Sequence, residues 1–192
     1  MNPVTRLAAA TLLLAGAGRL AAQPPDPCSQ VAWNVRAERA LYAGTPQEVG
    51  AAENVDLAPA VEPGHLYSVH LMPEDAVAFA GPRGSELLDE SGYGGLLLLR
   101  VPSAGRYRVS VDSSLWVDVI RDHHPAKSAA WQMAPGCTAP HKIVEYELPA
   151  AGDFVLQLSG GLDVEAHVAV TPVKADGKPP ARRKRHKAPA PA

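Results

Sequence analysis

The chain has 192 residues, two cysteines and a formal net charge of −2, which bounds it to one domain with terminal extensions. The near-neutral sum hides an asymmetry: from Lys174 onward the sequence carries a net +6, while Gln23–Val173 carries about −10. No apolar run reaches the roughly 20 residues that a membrane-spanning helix needs.

In chain order, the first segment reads as a secretory leader over residues 1–22. Arg6 supplies the positive start, Leu7–Leu14 the apolar centre and Ala21-Ala22 the small residues before a cut that leaves Gln23 first. Export to the periplasm or the medium follows as the expected localisation. It places Cys28 and Cys137 where disulfides form, and two cysteines allow a single pairing. A catalytic thiol is the alternative, but no CxxC or other nucleophile context surrounds either cysteine.

Between the termini the pattern has period two and is punctuated by Gly and Pro. It predicts strands at Val31–Val35, Leu66–Leu71, Ala76–Ala80, Leu96–Val101, Tyr107–Val111, Leu115–Ile120, Ile143–Leu148, Phe154–Leu158 and Val164–Val170. Alternation assigns their faces. Tyr107, Val109 and Val111 share one face; Arg106, Arg108 and Ser110 share the other. Phe154, Leu156 and Leu158 point in and Gln157 out, while Trp116 and Asp118 lie opposite Leu115, Val117 and Val119. Leu96–Leu99 reads as a strand covered on both sides. The predicted fold of residues 23–173 is an all-β, antiparallel β-sandwich, jelly-roll-like, of about seven to nine strands.

A weak internal repeat accompanies the pattern. Pro102–Gly105 leads into Tyr107–Val111 and then Leu115–Val119; 47 positions later Pro149–Gly152 leads into Phe154–Leu158 and Leu162–Ala166. A fainter copy starts at Pro63-Gly64. Each copy reads as a β-hairpin. The last segment, 174–192, is rich in Pro, Ala and base and is expected to be a disordered tail. Its charge suits anionic polymers, lipid headgroups or nucleic acid.

The Pro-x-Ala-Gly strand openings over Pro102–Val170 resemble those of pre-peptidase C-terminal and carbohydrate-binding-like β-sandwich modules, a resemblance that implies a non-catalytic accessory or ligand-binding role. Pro27–Gly44, the central repeat and Cys137–Gly152 together look like a group of short exported bacterial proteins without an established role. Some of that group carry the name homogentisate 1,2-dioxygenase, which implies a cupin-class enzyme with iron held by two His and one Glu. This chain has no His-x-His pair followed by a nearby carboxylate.

The residues themselves offer two site readings. An exposed Trp can stack on a sugar ring or anchor a partner, which makes Trp116, Trp131 and the loop Asp122-His123-His124 the candidate ligand contacts; Trp33 reads as core. A rival metal site would draw on His123, His124, His141 and Glu145. His65 and His70 fall on opposite faces of one predicted strand and cannot easily share an ion. No hydrolase motif or phosphate-cradling glycine loop is present. The expectation is a non-catalytic envelope binding or accessory module needing no cofactor, its partner an unidentified ligand or envelope component. A small metal-dependent enzyme, or a structural protein attached by its basic tail, are the alternatives.

Overall fold

The computed structural model describes residues 26–83 and 92–173. The predicted leader and the basic tail lie outside the described residues.

A 3-10 turn at Pro27–Gln30 and helix α1 (Arg36–Tyr42) open the chain. Strands follow in order: β1 (Gln47–Gly50), β2 (Ala60–Val61), β3 (Leu66–His70), β4 (Met72–Pro73), β5 (Tyr93–Val101) and β6 (Gly105–Val111). After these come β7 (Trp116–Arg121), β8 (His124–Pro125), β9 (Ser128–Met133), β10 (Lys142–Leu148), β11 (Gly152–Gly161) and β12 (Glu165–Pro172). They form two facing sheets, β1-β3-β12-β6-β10-β9 and β2-β5-β11-β7-β8, with β4 also paired to β5. The all-β sandwich is therefore present. It has more strands than the sequence indicated, because short edge strands leave little periodicity to read. It is mixed rather than wholly antiparallel, since the edges β1 and β2 run parallel to β3 and β5.

The face assignments hold. Tyr107, Val109 and Val111 meet Leu115, Val117, Val119, Phe154, Leu156 and Leu158 in one core between the sheets. Leu96, Leu97 and Leu99 are fully buried. At about 1.5–3 kcal/mol for each large apolar side chain removed from water, this layer is the main stabilising term.

The repeat is real, but its units are not hairpins. β6 and β7 lie in opposite sheets, as do β11 and β12. Each unit is an arch spanning the core, and the two arches interlock: β6 pairs with β12 in one sheet and β7 with β11 in the other. Local alternation specifies buried faces, and a strand can bury its face against the opposite sheet as well as against a neighbour. Gly105 and Gly152 open equivalent strands at φ 153° and 127°, where L side chains are strained, which explains why Gly recurs at this position of the repeat.

Two predicted strands are replaced by coverings. Residues 31–35 form no strand; Trp33 and Val35 instead pack on Ile143, on the outer face of the first sheet. Their alternation buries them correctly, but no strand edge is there to pair with. Residues 76–80 leave a 3-10 turn at Glu74–Ala76 and run as a strap over the second sheet's outer face. The strap also corrects Gln157, which points away from the core yet is fully buried. Its amide accepts from the Gly81 N–H at 3.2 Å and donates to the Gly81 carbonyl at 3.3 Å.

The disulfide Cys28–Cys137 is formed, with Cα atoms 4.9 Å apart across a sequence separation of 109. It fastens the N-terminal covering to the loop between β9 and β10. Beneath that covering lies a buried ionic cluster. Arg108 reaches Glu145 at 3.0 Å and Glu38 at 3.5 Å, donates to the Asn34 carbonyl at 3.0 Å, and lies 4.5 Å from the Trp33 ring centroid. Thr171 donates to Glu38 at 2.8 Å.

Candidate functional site

The predicted contact residues divide into two places. Trp116 starts β7, whereas Asp122 and His123 form the turn after its far end. Five strand steps separate Trp116 from Arg121, roughly 17 Å at the usual rise. Asp122 and His123 have φ of 51° and 63°. This is the left-handed pair that a two-residue hairpin requires, and it joins β7 to β8. Asn-Gly is the usual sequence there, so Asp-His did not read as a tight turn. His123 Nδ1 lies 3.3 Å from the Ala80 carbonyl, and His124 is exposed on β8.

Trp131 sits in β9 opposite Val144 of β10. Directly opposed residues share a face, so Trp131 and Met133 point to the same side as Val144 and Lys142, the side that faces the core elsewhere in the sheet. Ala130 and Gln132 point outward: Ala130 packs beside Ile143 and Trp33, and Gln132 accepts from the Ala32 N–H at 2.8 Å. Trp131 is nevertheless 61% exposed and Met133 38%. The reason is topological. In the opposite sheet the last strand, β8, has only two residues and pairs only with Ile120-Arg121. Among the described residues no strand of the second sheet extends beyond β8 to cover the Trp131–Met133 end of β9.

Lys142 connects this overhang to Trp116. Its ammonium donates to the Leu115 carbonyl at 2.7 Å and stands 4.7 Å from the Trp116 ring centroid. Such a cation over an indole is attractive. Burial pushes the Lys142 pKa below its ordinary value, and the negative charge of Asp118 opposes part of that shift. The Tyr146 hydroxyl donates to the Val117 carbonyl at 2.7 Å, and the Ala126 N–H donates to the Val119 carbonyl at 2.7 Å. Alternate carbonyls of the β7 edge are thus capped, two by side chains from across the sandwich and one by the backbone just after β8, which closes that edge to strand addition. What stays exposed is Trp116, Met133 and Trp131, with the buried Lys142 linking them: it lies opposite Met133 in the β9–β10 register, and its ammonium sits against the Trp116 ring of the facing sheet. Neither Lys142 nor Met133 was singled out by sequence, because only the β9–β10 register brings them beside the tryptophans.

The rival metal set is dispersed. Glu145 is buried under the N-terminal covering against Arg108 and Arg106. His141 lies at one end of the sandwich, its Nδ1 3.2 Å from the Cys137 carbonyl and its Nε2 3.4 Å from Ser114 Oγ. His123 and His124 belong to the β7–β8 hairpin. Among the described residues no group of three or more His, Cys, Asp and Glu side chains converges to hold a metal. His65 and His70 have separate partners, Gln47 and Glu48. His141 also lines a cavity of about 210 Å³ with Asp112, Ser114, Leu115, Asp163 and Glu165. Asp112 is committed there to His167, taking its backbone N–H at 3.0 Å and its Nδ1 at 2.8 Å.

Compared with protein-family models, curated proteins and solved structures, the chain matches none.

Proposed function

We propose that this protein is an exported, non-catalytic binding module of the cell envelope, and that it holds its ligand on the strip Trp131–Met133–Lys142–Trp116. The observation that carries the reading is Trp131: a large apolar side chain, 61% exposed, on an ordered strand. Single exposed hydrophobic residues are ordinary, but two exposed tryptophans, one of them seated on a buried ammonium, offer flat apolar faces on which a sugar ring can stack. The rigid β frame supplies the preorganisation that keeps the ordering cost of binding low. The Asp122–His124 hairpin tip is not part of this surface. A formed disulfide agrees with export, since such bonds persist in oxidising compartments. No helix of the described residues is long and apolar enough to cross a membrane.

The basic tail adds electrostatic attachment to an anionic polymer in this reading. Co-sedimentation of the full chain with isolated cell-wall polysaccharide tests both parts. Trp131→Ala is expected to weaken sedimentation at least tenfold, the scale of an aromatic hot spot. Removing 174–192 is expected to abolish its salt dependence. Sedimentation unchanged by Trp131→Ala would overturn the assignment of the strip.

A further inference from the structure

We infer that the basic run 182–187 of this chain's own tail folds back onto Trp131 and covers it until an anionic polymer draws the run away. The aromatic rings of the domain already show what they hold. Arg108 lies over the Trp33 ring at 4.5 Å from its centroid and Lys142 over Trp116 at 4.7 Å. Arg83 and Arg121 lie over Phe79 and Phe154 at 5.1 and 4.9 Å. Among the described residues Trp131 is the one tryptophan with no cation on its ring, and it is the most exposed of the three. The face of an indole carries negative potential and attracts a guanidinium or an ammonium. A cation on a long stem is the occupant this ring fits.

The strand register measures the distance the tail must cover. The Val173 N–H donates to the Arg106 carbonyl at 2.8 Å, which fixes where the tail leaves the sheet. Pro172 pairs with Tyr107, Tyr107 with Tyr146, and Tyr146 with Ser128, so the exit is level with Ser128 of β9, three strands away. Three strand spacings are about 14 Å. Trp131 lies opposite Val144, two residues from Tyr146 along β10, or about 7 Å. The direct span is therefore about 16 Å. Nine steps of chain lead from Val173 to Arg182. A segment of that length has a root-mean-square span of about 15–18 Å and an extended reach of about 30 Å. It covers the distance and leaves slack to pass round β9 to the side on which Trp131 points. A tether whose natural span matches the gap gives an effective concentration in the millimolar range.

Charge selects the same occupant. The tail carries +6 and the domain about −10, so the two attract. Five of the tail's seven cations fall in the run Arg-Arg-Lys-Arg-His-Lys at 182–187, which contains no proline. The contact is made by side chains stacking on the indole and not by an added strand, because the β9–β10 ladder shifts register between Glu145 and Tyr146 and such an irregularity blunts the β9 edge. The contact itself needs no ligand; that it regulates ligand binding on the strip rests on the reading proposed above. The run then has two alternatives, Trp131 and an anionic polymer, and taking the polymer uncovers the strip.

Acrylamide quenching of tryptophan fluorescence in the full chain tests the inference. Arg182→Gln, Arg183→Gln, Lys184→Gln and Arg185→Gln made together leave the domain untouched. They are expected to raise the quenching constant about 1.5-fold, one of the two exposed indoles being uncovered. Dextran sulfate, or salt raised to about 0.5 M, is expected to give the same rise in the unsubstituted chain. The rise should not depend on protein concentration, since the contact lies within one chain, and it should vanish in Trp131→Phe. Quenching that ignores the four tail substitutions overturns the inference and leaves the ligand reading standing. A rise that persists in Trp131→Phe overturns it as well, by placing the tail elsewhere. A tail-dependent rise at Trp131 in a chain that does not sediment with cell-wall polysaccharide supports the contact and overturns the ligand reading instead.

Discussion

Arg108 holds two carboxylates in place at once. Glu38 and Glu145 are each 2% exposed, and Arg108 reaches both. Removing one partner of a buried ionic group leaves charge without compensation. Arg108→Ala is therefore expected to destabilise by about 3–5 kcal/mol, read as a lower denaturation midpoint, with Arg106 too exposed to take over fully. The turn residue His123 is the opposite case. It is strained by its positive φ, and Gly relieves that strain. His123→Gly is expected to raise the thermal midpoint by about 2–4 °C, a gain near 1 kcal/mol for a domain of this size. A fall would mean that the His123 contact with the Ala80 carbonyl outweighs the strain.

Titration at Lys142 and Tyr146 gives the stability a definite alkaline profile. Burial lowers the Lys142 pKa, so between that lowered value and about 10.5 the unfolded chain binds a proton that the folded chain has released. Stability rises with pH through that window. Burial raises Tyr146 and Tyr42 above their ordinary value of 10.0, with Asp118 adding to the shift at Tyr146. Above pH 10 the unfolded chain loses protons that the folded chain keeps, and stability falls. Denaturation midpoints are expected to climb toward pH 10 and decline beyond it, with a shallower decline in Tyr146→Phe.

At the scale of elements, the N-terminal covering is the unit most open to test. It forms no strand with the sheet beneath it. It is held by the Cys28–Cys137 bond, by Trp33 and Val35 on Ile143, and by the Glu38–Arg108 contact. Paired Cys28→Ser and Cys137→Ser substitutions are expected to destabilise by about 2–5 kcal/mol in denaturant titrations, as for other native disulfides that close long loops. Loss should appear first as faster amide exchange over α1, because local opening precedes global unfolding where few contacts bind a segment. The strap at 77–83 plays the matching role on the second sheet, held by Gln157 and by Glu74, which takes Arg83 at 2.7 Å and also the Gly160 N–H.

At the scale of the whole molecule, the two interlocked arches leave Trp116, Met133 and Trp131 exposed beside the buried Lys142. β8 is too short to cover β9, and the consequence is a strip with tryptophan at both ends. A longer β8 would bury Trp131 in the core. The binding reading rests on that single shortfall of strand.

The sequence by itself determined which residues are buried. Period-two alternation places Tyr107, Val109, Phe154 and Leu156 correctly because inward and outward positions in a strand are fixed by backbone geometry alone. Two cysteines also left only one intramolecular disulfide to form. Pairing was not legible. The repeat reads the same whether its strands neighbour each other or face each other, and only tertiary packing chose the arch. The site was half legible for the same reason. Trp116 and Trp131 stand out as residues, but their link through Lys142, and their distance from Asp122 and His123, depend on which strand edge lies opposite which. A one-dimensional pattern records faces and does not record neighbours.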